Sequence, residues 1–168
     1  MILIAIGSNL PSRAGPPLAT CRAALAALDA HDVKVKKVSR WYESAPVPAS
    51  DQPNFVNGVA VVGTHQSPRE LLRTLHAVEV DFARERGAAN AARTLDLDLL
   101  DYDGQLREIE APLLPHPRLH QRVFVLLPLR DVAPDWRHPG LKKTVSELIL
   151  ALGPGAENRG IWPIPGPP

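Results

Sequence analysis

Strand-like and helix-like patterns that alternate along the 168 residues predict an α+β fold, and three observations carry the prediction. Two segments repeat apolar residues at helical spacing. Short runs with strand alternation or continuous apolar character flank them. Their order is strand, helix, strand, strand, helix, strand, which gives a ferredoxin-like βαββαβ core: an antiparallel sheet with helices on one face, here with added C-terminal elements. The other sheet face is then free for a ligand.

Each element has a local reason. Residues 2–6, ILIAI, read as a short buried strand stopped by Gly7-Ser8-Asn9. After a Pro/Gly-rich turn, Leu18, Cys21, Leu25 and Leu28 keep helical spacing and end near His31-Asp32. Residues 33–42 alternate, with Val33, Val35 and Lys37 on one parity and Lys34 and Lys36 on the other, as in a half-solvated strand. Residues 43–53, ESAPVPASDQP, read as a loop because Pro46, Pro48 and Pro53 have no N–H for a ladder. Residues 55–62 resume a strand. Ser67, Pro68 and Glu70 then supply the cap, the first-turn proline and the capping-box acid of a helix striped by Leu71, Leu72, Leu75, Val78 and Phe82.

Residues 87–90 read as loop and residues 94–102 as a strand. Asp103-Gly104 is a turn signal, with LREIE beyond it as the candidate hairpin partner. The segment VFVLLPLRDVAPDW at 123–136 is apolar with no period that decides its type, and residues 145–152 form a terminal helix stopped by Gly153. Residues 1–152 make one domain, followed by a Pro/Gly-rich tail at 153–168 that is extended or poorly ordered.

Composition removes several function classes. Lys plus Arg of 19 against Asp plus Glu of 18 leaves a net charge of +1, which gives no general pull toward nucleic acid. The aromatic residues are scattered, against a base-stacking surface. A single cysteine excludes an intrachain disulfide and fits a reducing compartment. No apolar run approaches the roughly 20 residues needed to cross a bilayer. The expectation is a cytoplasmic protein with small-molecule substrates, no nucleic-acid or membrane partner and no obligate protein partner.

The chemistry concentrates in RTLDLDLL, residues 93–100. On a strand, Leu95, Leu97 and Leu99 share one face while Asp96 and Asp98 stand side by side on the other, about 6–7 Å apart. That spacing suits one magnesium ion between them, or two on a phosphate chain. An exposed edge with ordinary acids remains the plain alternative. Basic groups favour the first reading: Arg93 precedes the strand, Arg84 and Arg86 lie at the end of the second helix and beyond, and His116, Arg118, His120 and Arg122 follow in LLPHPRLHQRVF. Guanidinium groups match phosphate oxygens in a bidentate fork. His116 and His120 lack the helix and the Glu-His order of the common zinc motif and have no cysteine to help them, so a neutral histidine donating to phosphate is preferred. No phosphate-cradling glycine loop is present, so side chains and metal must hold any triphosphate. Gly7 in IGSNL supplies backbone freedom, and Asn9 either belongs to that turn or reaches the ligand face. Asn57 can read the edge of a heterocycle or cap a bulge, and Phe55 and Phe124 can flank a flat ring or simply pack.

These fragments, AIGSNL at 5–10, SRWYESAPVPASDQPNFVNGV at 39–59, RTLDLDLL at 93–100, PHPRLHQRVFVLLPL at 115–129 and APDW at 133–136, together resemble the 6-hydroxymethyl-7,8-dihydropterin pyrophosphokinase family of folate biosynthesis. The resemblance implies transfer of pyrophosphate from ATP to the hydroxymethyl group of the reduced pterin, with release of AMP. It implies two Mg2+ ions held by Asp96 and Asp98; Asp96, a metal-bound carboxylate within reach, is the candidate base, with direct proton transfer to solvent or phosphate as the alternative. It matches Arg84, Arg86, Arg93, His116 and Arg122 to the phosphates, with Leu99 beside the adenine and Arg84 and Arg93 also catalytic. It matches Ser44, Ala45 and Val47 to backbone contacts with the pterin, Asn57 to its amide contact, and Phe55 and Phe124 to the rings around it. Arg84 and Arg86 would then close over ATP. The chain departs from the family pattern at Asn90-Ala91-Ala92, where an aromatic-Gly-Pro is usual, and in a loop about one residue shorter. Two other readings compete: another Mg-dependent phosphoryl or nucleotidyl transferase, and a non-catalytic ferredoxin-like ligand-binding or interaction module.

Overall fold

In chain order the elements are β1 (Ile2–Ser8), α1 (Pro17–Ala27), β2 (Lys34–Val38), β3 (Tyr42–Ser44), β4 (Phe55–Gly63), α2 (Pro68–Asp81), β5 (Asp96–Tyr102), α3 (Val123–Val132), α4 (Val145–Ala151) and β6 (Ile161–Pro163). They come from a computed structural model that describes residues 1–82, 92–158 and 160–166. The loop expected at 87–90, together with Arg84, Arg86, Asn90 and Ala91, lies outside the described residues.

β1, the most apolar strand, sits between β4 and β5 and is antiparallel to both. β2 and β3 share β4 as a partner, β2 along its C-terminal half and β3 along its N-terminal half. The sheet therefore runs β5, β1, β4 and then β2 with β3, the strand order of a ferredoxin-like core. β6 adds a further antiparallel strand outside β3.

The single strand expected at 33–42 is two. Ser39 breaks it: its N–H donates to the Val59 carbonyl, and its hydroxyl oxygen accepts from the Val59 N–H at 3.0 Å. Glu43 and Ser44, expected in the loop, still pair with β4, since the prolines that bar a ladder begin only at Pro46. The cap at Ser67 forms as a full capping box, and Thr144 with Glu147 makes a second one at α4. The ambiguous 123–136 segment is mostly helix, α3, with Pro128 inside it. Asp103 and Gly104 both adopt positive φ, and Gln105 N–H closes the turn on the Tyr102 carbonyl. LREIE does not become a strand; Arg107 and Leu114 exchange two backbone hydrogen bonds instead.

The sheet separates two cores. On one face Ile2, Ile4, Ile6, Ala60, Leu97 and Leu99 pack against Cys21 and Leu25 of α1 and Leu71, Leu75 and Val78 of α2. On the other, Leu3, Val59 and Leu100 pack against Leu126 and Leu129 of α3 and Leu148 of α4. The core helices α1 and α2 share one face as expected, while the expectation that the other face is free is corrected: the added C-terminal helices α3 and α4 cover most of it. The reason is in ILIAI, which is apolar at both parities, as a strand buried on both sides must be. A bulge at Leu100, opposite the Leu3/Ile4 step, lets Leu100 and Asp101 both face the second core, where Asp101 accepts from Trp136 Nε1. The described residues of the tail, read from sequence as extended or poorly ordered, include a short helical turn and the extended strand β6.

Candidate active site

The cleft opens where α3 and α4 stop covering the second face. Ladder register sets its floor: Asp96 pairs with Gly7 and Gly7 with Asn57, while Asp98 pairs with Ala5 and Ala5 with Val59. Two strand spacings, roughly 10 Å, therefore separate Asp96 from Asn57 along one row. Gly7 and Ala5 add almost no bulk between the acids and the amide, which leaves a cavity of about 550 Å³. Ser44, Ala45, Pro46, Val47, Pro48, Phe55 and Asn57 line it from β3, β4 and the loop between them, and Arg93, Asp96, Asp98, Arg118, Gln121, Arg122, Val123 and Phe124 from β5 and the chain leading into α3.

At the charged end, Arg93 Nη1 stands 2.9 Å from Asp96 Oδ2. Arg122 Nη1 and His116 Nε2 lie 3.6 and 3.9 Å from Asp98 Oδ2. His116 Nδ1 accepts the Arg118 N–H at 3.2 Å, so in the neutral ring the proton is on Nε2 and faces Asp98. Burial pushes His116 below its ordinary pKa, with Asp98 opposing and Arg122 and Arg118 assisting, so the ring is a neutral donor near neutrality. Burial also lowers Arg122, although a guanidinium stays charged. The Arg122 guanidinium carbon lies 5.6 Å from the centre of the Phe124 ring.

The neutral end is fixed by Asn57. Its Nδ2 donates to Ser44 Oγ at 2.9 Å and to the Phe55 carbonyl at 3.3 Å. A backbone carbonyl only accepts, so the amide nitrogen must face it and the amide oxygen is left on the side of Gly7.

Two supports were not legible. Asn9, open to either role from sequence, is a clamp: its Oδ1 accepts from Arg93 N–H at 2.7 Å, and its Nδ2 donates to the Pro53 carbonyl and to Gln52. One buried side chain thus ties the base of Arg93 to the loop before β4. Glu79, 3% exposed, accepts the Leu97 N–H at 2.7 Å, satisfying a backbone donor on the free edge of β5. Its signal was a charged residue at helical spacing from Leu75 and Phe82.

The structure brings Ser44, Ala45, Val47, Phe55, Asn57, Arg93, Asp96, Asp98, Arg122 and Phe124 into one cleft, with His116 beside Asp98. Leu99 lies in the core under α2 with its side chain 3% exposed, turned away from the acids by strand alternation as its position in RTLDLDLL implies. Arg84 and Arg86 lie outside the described residues. His120 does not join His116; its ring meets His138 edge-on at 5.8 Å. Among the described residues no cluster of three His, Cys, Asp or Glu side chains stands within reach of one metal ion. Gln121, Val123, Pro46 and Pro48 complete the walls without having been singled out, since nothing in their residue type marks a lining position.

The chain is similar to known proteins along this same site-bearing region. A family described as 7,8-dihydro-6-hydroxymethylpterin-pyrophosphokinase matches residues 3–134. A 2-amino-4-hydroxy-6-hydroxymethyldihydropteridine pyrophosphokinase of Synechocystis sp. is 37% identical over 163 residues, covering 96% of this chain and 79% of the relative. A protein of the same name from Pseudomonas aeruginosa is 40% identical over 151 residues, covering 89% and 90%. Among solved structures, an HPPK-DHPS chain of Plasmodium falciparum superposes with a TM-score of 0.67 at 15% identity, covering 89% of this chain. This chain spans 44% of that longer one, and the likeness there is one of fold.

Proposed function

The chain belongs to the 7,8-dihydro-6-hydroxymethylpterin-pyrophosphokinase family, and from that premise we propose that the cleft over Asp96 and Asn57 is where it transfers pyrophosphate from ATP to 6-hydroxymethyl-7,8-dihydropterin. It is an ATP-dependent pyrophosphokinase of folate synthesis. The observation that carries the site is the row Asp96, Gly7, Asn57, which sets a carboxylate pair and a heterocycle-reading amide on one open floor. A non-catalytic module leaves the cations around Asp98 without a purpose.

The residues fit a magnesium-bound triphosphate. Two carboxylates without a third protein ligand among the described residues suit an ion that takes its other oxygens from phosphate and water. Asp96 and Asp98 would hold Mg2+, which supplies charge neutralisation on the transferring phosphates when bound. The Nε2–H of His116 and the guanidinium groups of Arg93 and Arg122 serve the phosphate oxygens, with Arg84 and Arg86 assigned to the same task by sequence. In the structure Arg93 and Arg122 stand against Asp96 and Asp98, so arriving phosphate competes for cations already in place.

The pterin takes the neutral end. Phe55 and Phe124 flank it, the Asn57 amide oxygen accepts from its edge, and backbone groups of Ser44, Ala45 and Val47 complete the recognition. Asp96 shares the ladder row of Asn57 and Asp98 does not, which supports Asp96 over Asp98 as the acceptor of the hydroxymethyl proton. The alcohol oxygen bonds to the β-phosphorus, the bond from that phosphorus to the AMP oxygen breaks, and the proton passes to the carboxylate.

Asp96→Asn and Asp98→Asn test the site. Turnover at saturating Mg-ATP and pterin is expected to fall by about 10² or more for each, the scale of losing electrostatic stabilisation at a transferring phosphate. Pterin binding measured without ATP is expected to stay within about twofold, since Asn57 and the rings are untouched. Turnover retained in either variant contradicts the assignment.

A further inference from the structure

The C-terminal segment does more than cover the sheet. β3 is three residues long and ends at the cleft; the loop after it carries Pro46 and Pro48, which have no N–H with which to anchor themselves. On one side β3 is held by β4. On the other, Ser44 pairs with Ile161 and Tyr42 with Pro163 of β6. The ladder continues past both strand ends: Ala45 N–H donates to the Gly160 carbonyl at 2.9 Å, and Ile164 N–H donates to the Trp41 carbonyl at 2.8 Å. Ile161 is buried in the core that contains α3, and Glu157 pairs with Arg130 of α3 at 3.1 Å. The same segment therefore touches both walls of the cleft, the Ser44 edge and the helix whose first turn carries Phe124.

We propose that residues 160–164 are a positioning element for the pterin end of the cleft. The route is short. Pairing with Ile161 fixes Ser44, and Ser44 Oγ accepts from Asn57 Nδ2, a second hold on the amide that the Phe55 carbonyl orients. The Gly160 bond occupies the Ala45 N–H, so the Ala45 carbonyl is the backbone group left for a ligand. Gly160 adopts φ +63°, and a Cβ there would stand 3.5 Å from that of Ala45; its conformation, more than the space, demands glycine. None of these contacts reaches Asp98, His116 or Arg122. The expected signature is therefore selective for one substrate. The inference rests on the reading that the Ser44 to Val47 edge takes the pterin.

Two variants test it: a chain ending after Gly155, and Gly160→Val in the full-length chain, which strains the left-handed backbone at one point. In each, the KM for the reduced pterin should rise about tenfold, the scale of one misplaced hydrogen bond. The KM for Mg-ATP should stay within about twofold, because the phosphate groups are left alone. Binding of oxidised 6-hydroxymethylpterin without ATP, followed by fluorescence, should weaken in parallel. An unchanged pterin KM, or pterin and ATP values that rise together, overturns the proposal. If the shortened chain loses its near-ultraviolet circular dichroism, Gly160→Val decides on the same criteria. A full-length chain that binds no pterin overturns the assignment of the cleft itself, and the inference with it. A full-length chain that binds pterin beside variants that bind it equally well overturns the inference alone.

Discussion

Asp96 and Asp98 owe their room to the residues across the ladder, Gly7 and Ala5, which bring no bulk to that face of the sheet. At the scale of single residues, the types that carry chemistry were legible because acids, arginines and a neutral histidine have few reasons to gather between apolar strands. The residues that hold them were not. Asn9 and Glu79 act on backbone groups that only the folded chain brings near, and Leu99 follows from alternation alone once β5 is known. Asp101 belongs to the same hidden class. Its Oδ2 accepts from Trp136 Nε1 and Gly104 N–H while Oδ1 has no hydrogen-bond partner among the described residues, and burial raises its pKa above the ordinary carboxylate value. The sign follows: the protonated acid suits the folded state, so its contribution is present below the unfolded pKa and is lost as pH rises through the higher folded value. Asp101→Asn can keep both bonds through its single carbonyl oxygen. It should be more stable than the parent at pH 7 by about 1 kcal/mol in urea unfolding, with the gap closing toward pH 4. A variant less stable at pH 7 contradicts the account of this group.

Among the elements, those with a complete local signal agree best with the sequence. The helix begun by Ser67-Pro68 and closed by its capping box is one, and the Asp103-Gly104 turn is another. Elements decided by partners were less legible. The 33–42 run divides because Ser39 bonds to Val59, and the apolar 123–136 run becomes a helix only against the second sheet face. β4 shows how closely these partners fit. A Cβ on Gly58 would stand 2.7 Å from a ring carbon of Trp41, which is buried in the core under α1 and α2. Gly58→Ala should lower stability by about 1–3 kcal/mol through this overpacking. Thermal unfolding with Trp fluorescence measures it, and an unchanged midpoint would mean that Trp41 moves without cost.

For the whole molecule, strand and helix order was enough to give the core topology, since chain order and right-handed connections leave few alternatives. Composition did not say how the second face is shared between α3, α4 and ligand. Apolar residues at both parities of β1 signalled double burial, yet the point at which cover ends depends on where α3 begins. That boundary makes the cleft. It leaves the carboxylates of Asp96 and Asp98 and the amide of Asn57 on one floor, proposed here for phosphate and for the ring, with β6 paired to the β3 strand that carries Ser44. No helix among the described residues is long and apolar enough to cross a membrane. The measurement that bears most directly on the account is the product balance of the purified chain supplied with Mg2+, ATP and 6-hydroxymethyl-7,8-dihydropterin. AMP and the pterin pyrophosphate should appear in equal amounts, with neither formed when the pterin is omitted. ADP in place of AMP, or AMP formed without the pterin, would contradict it.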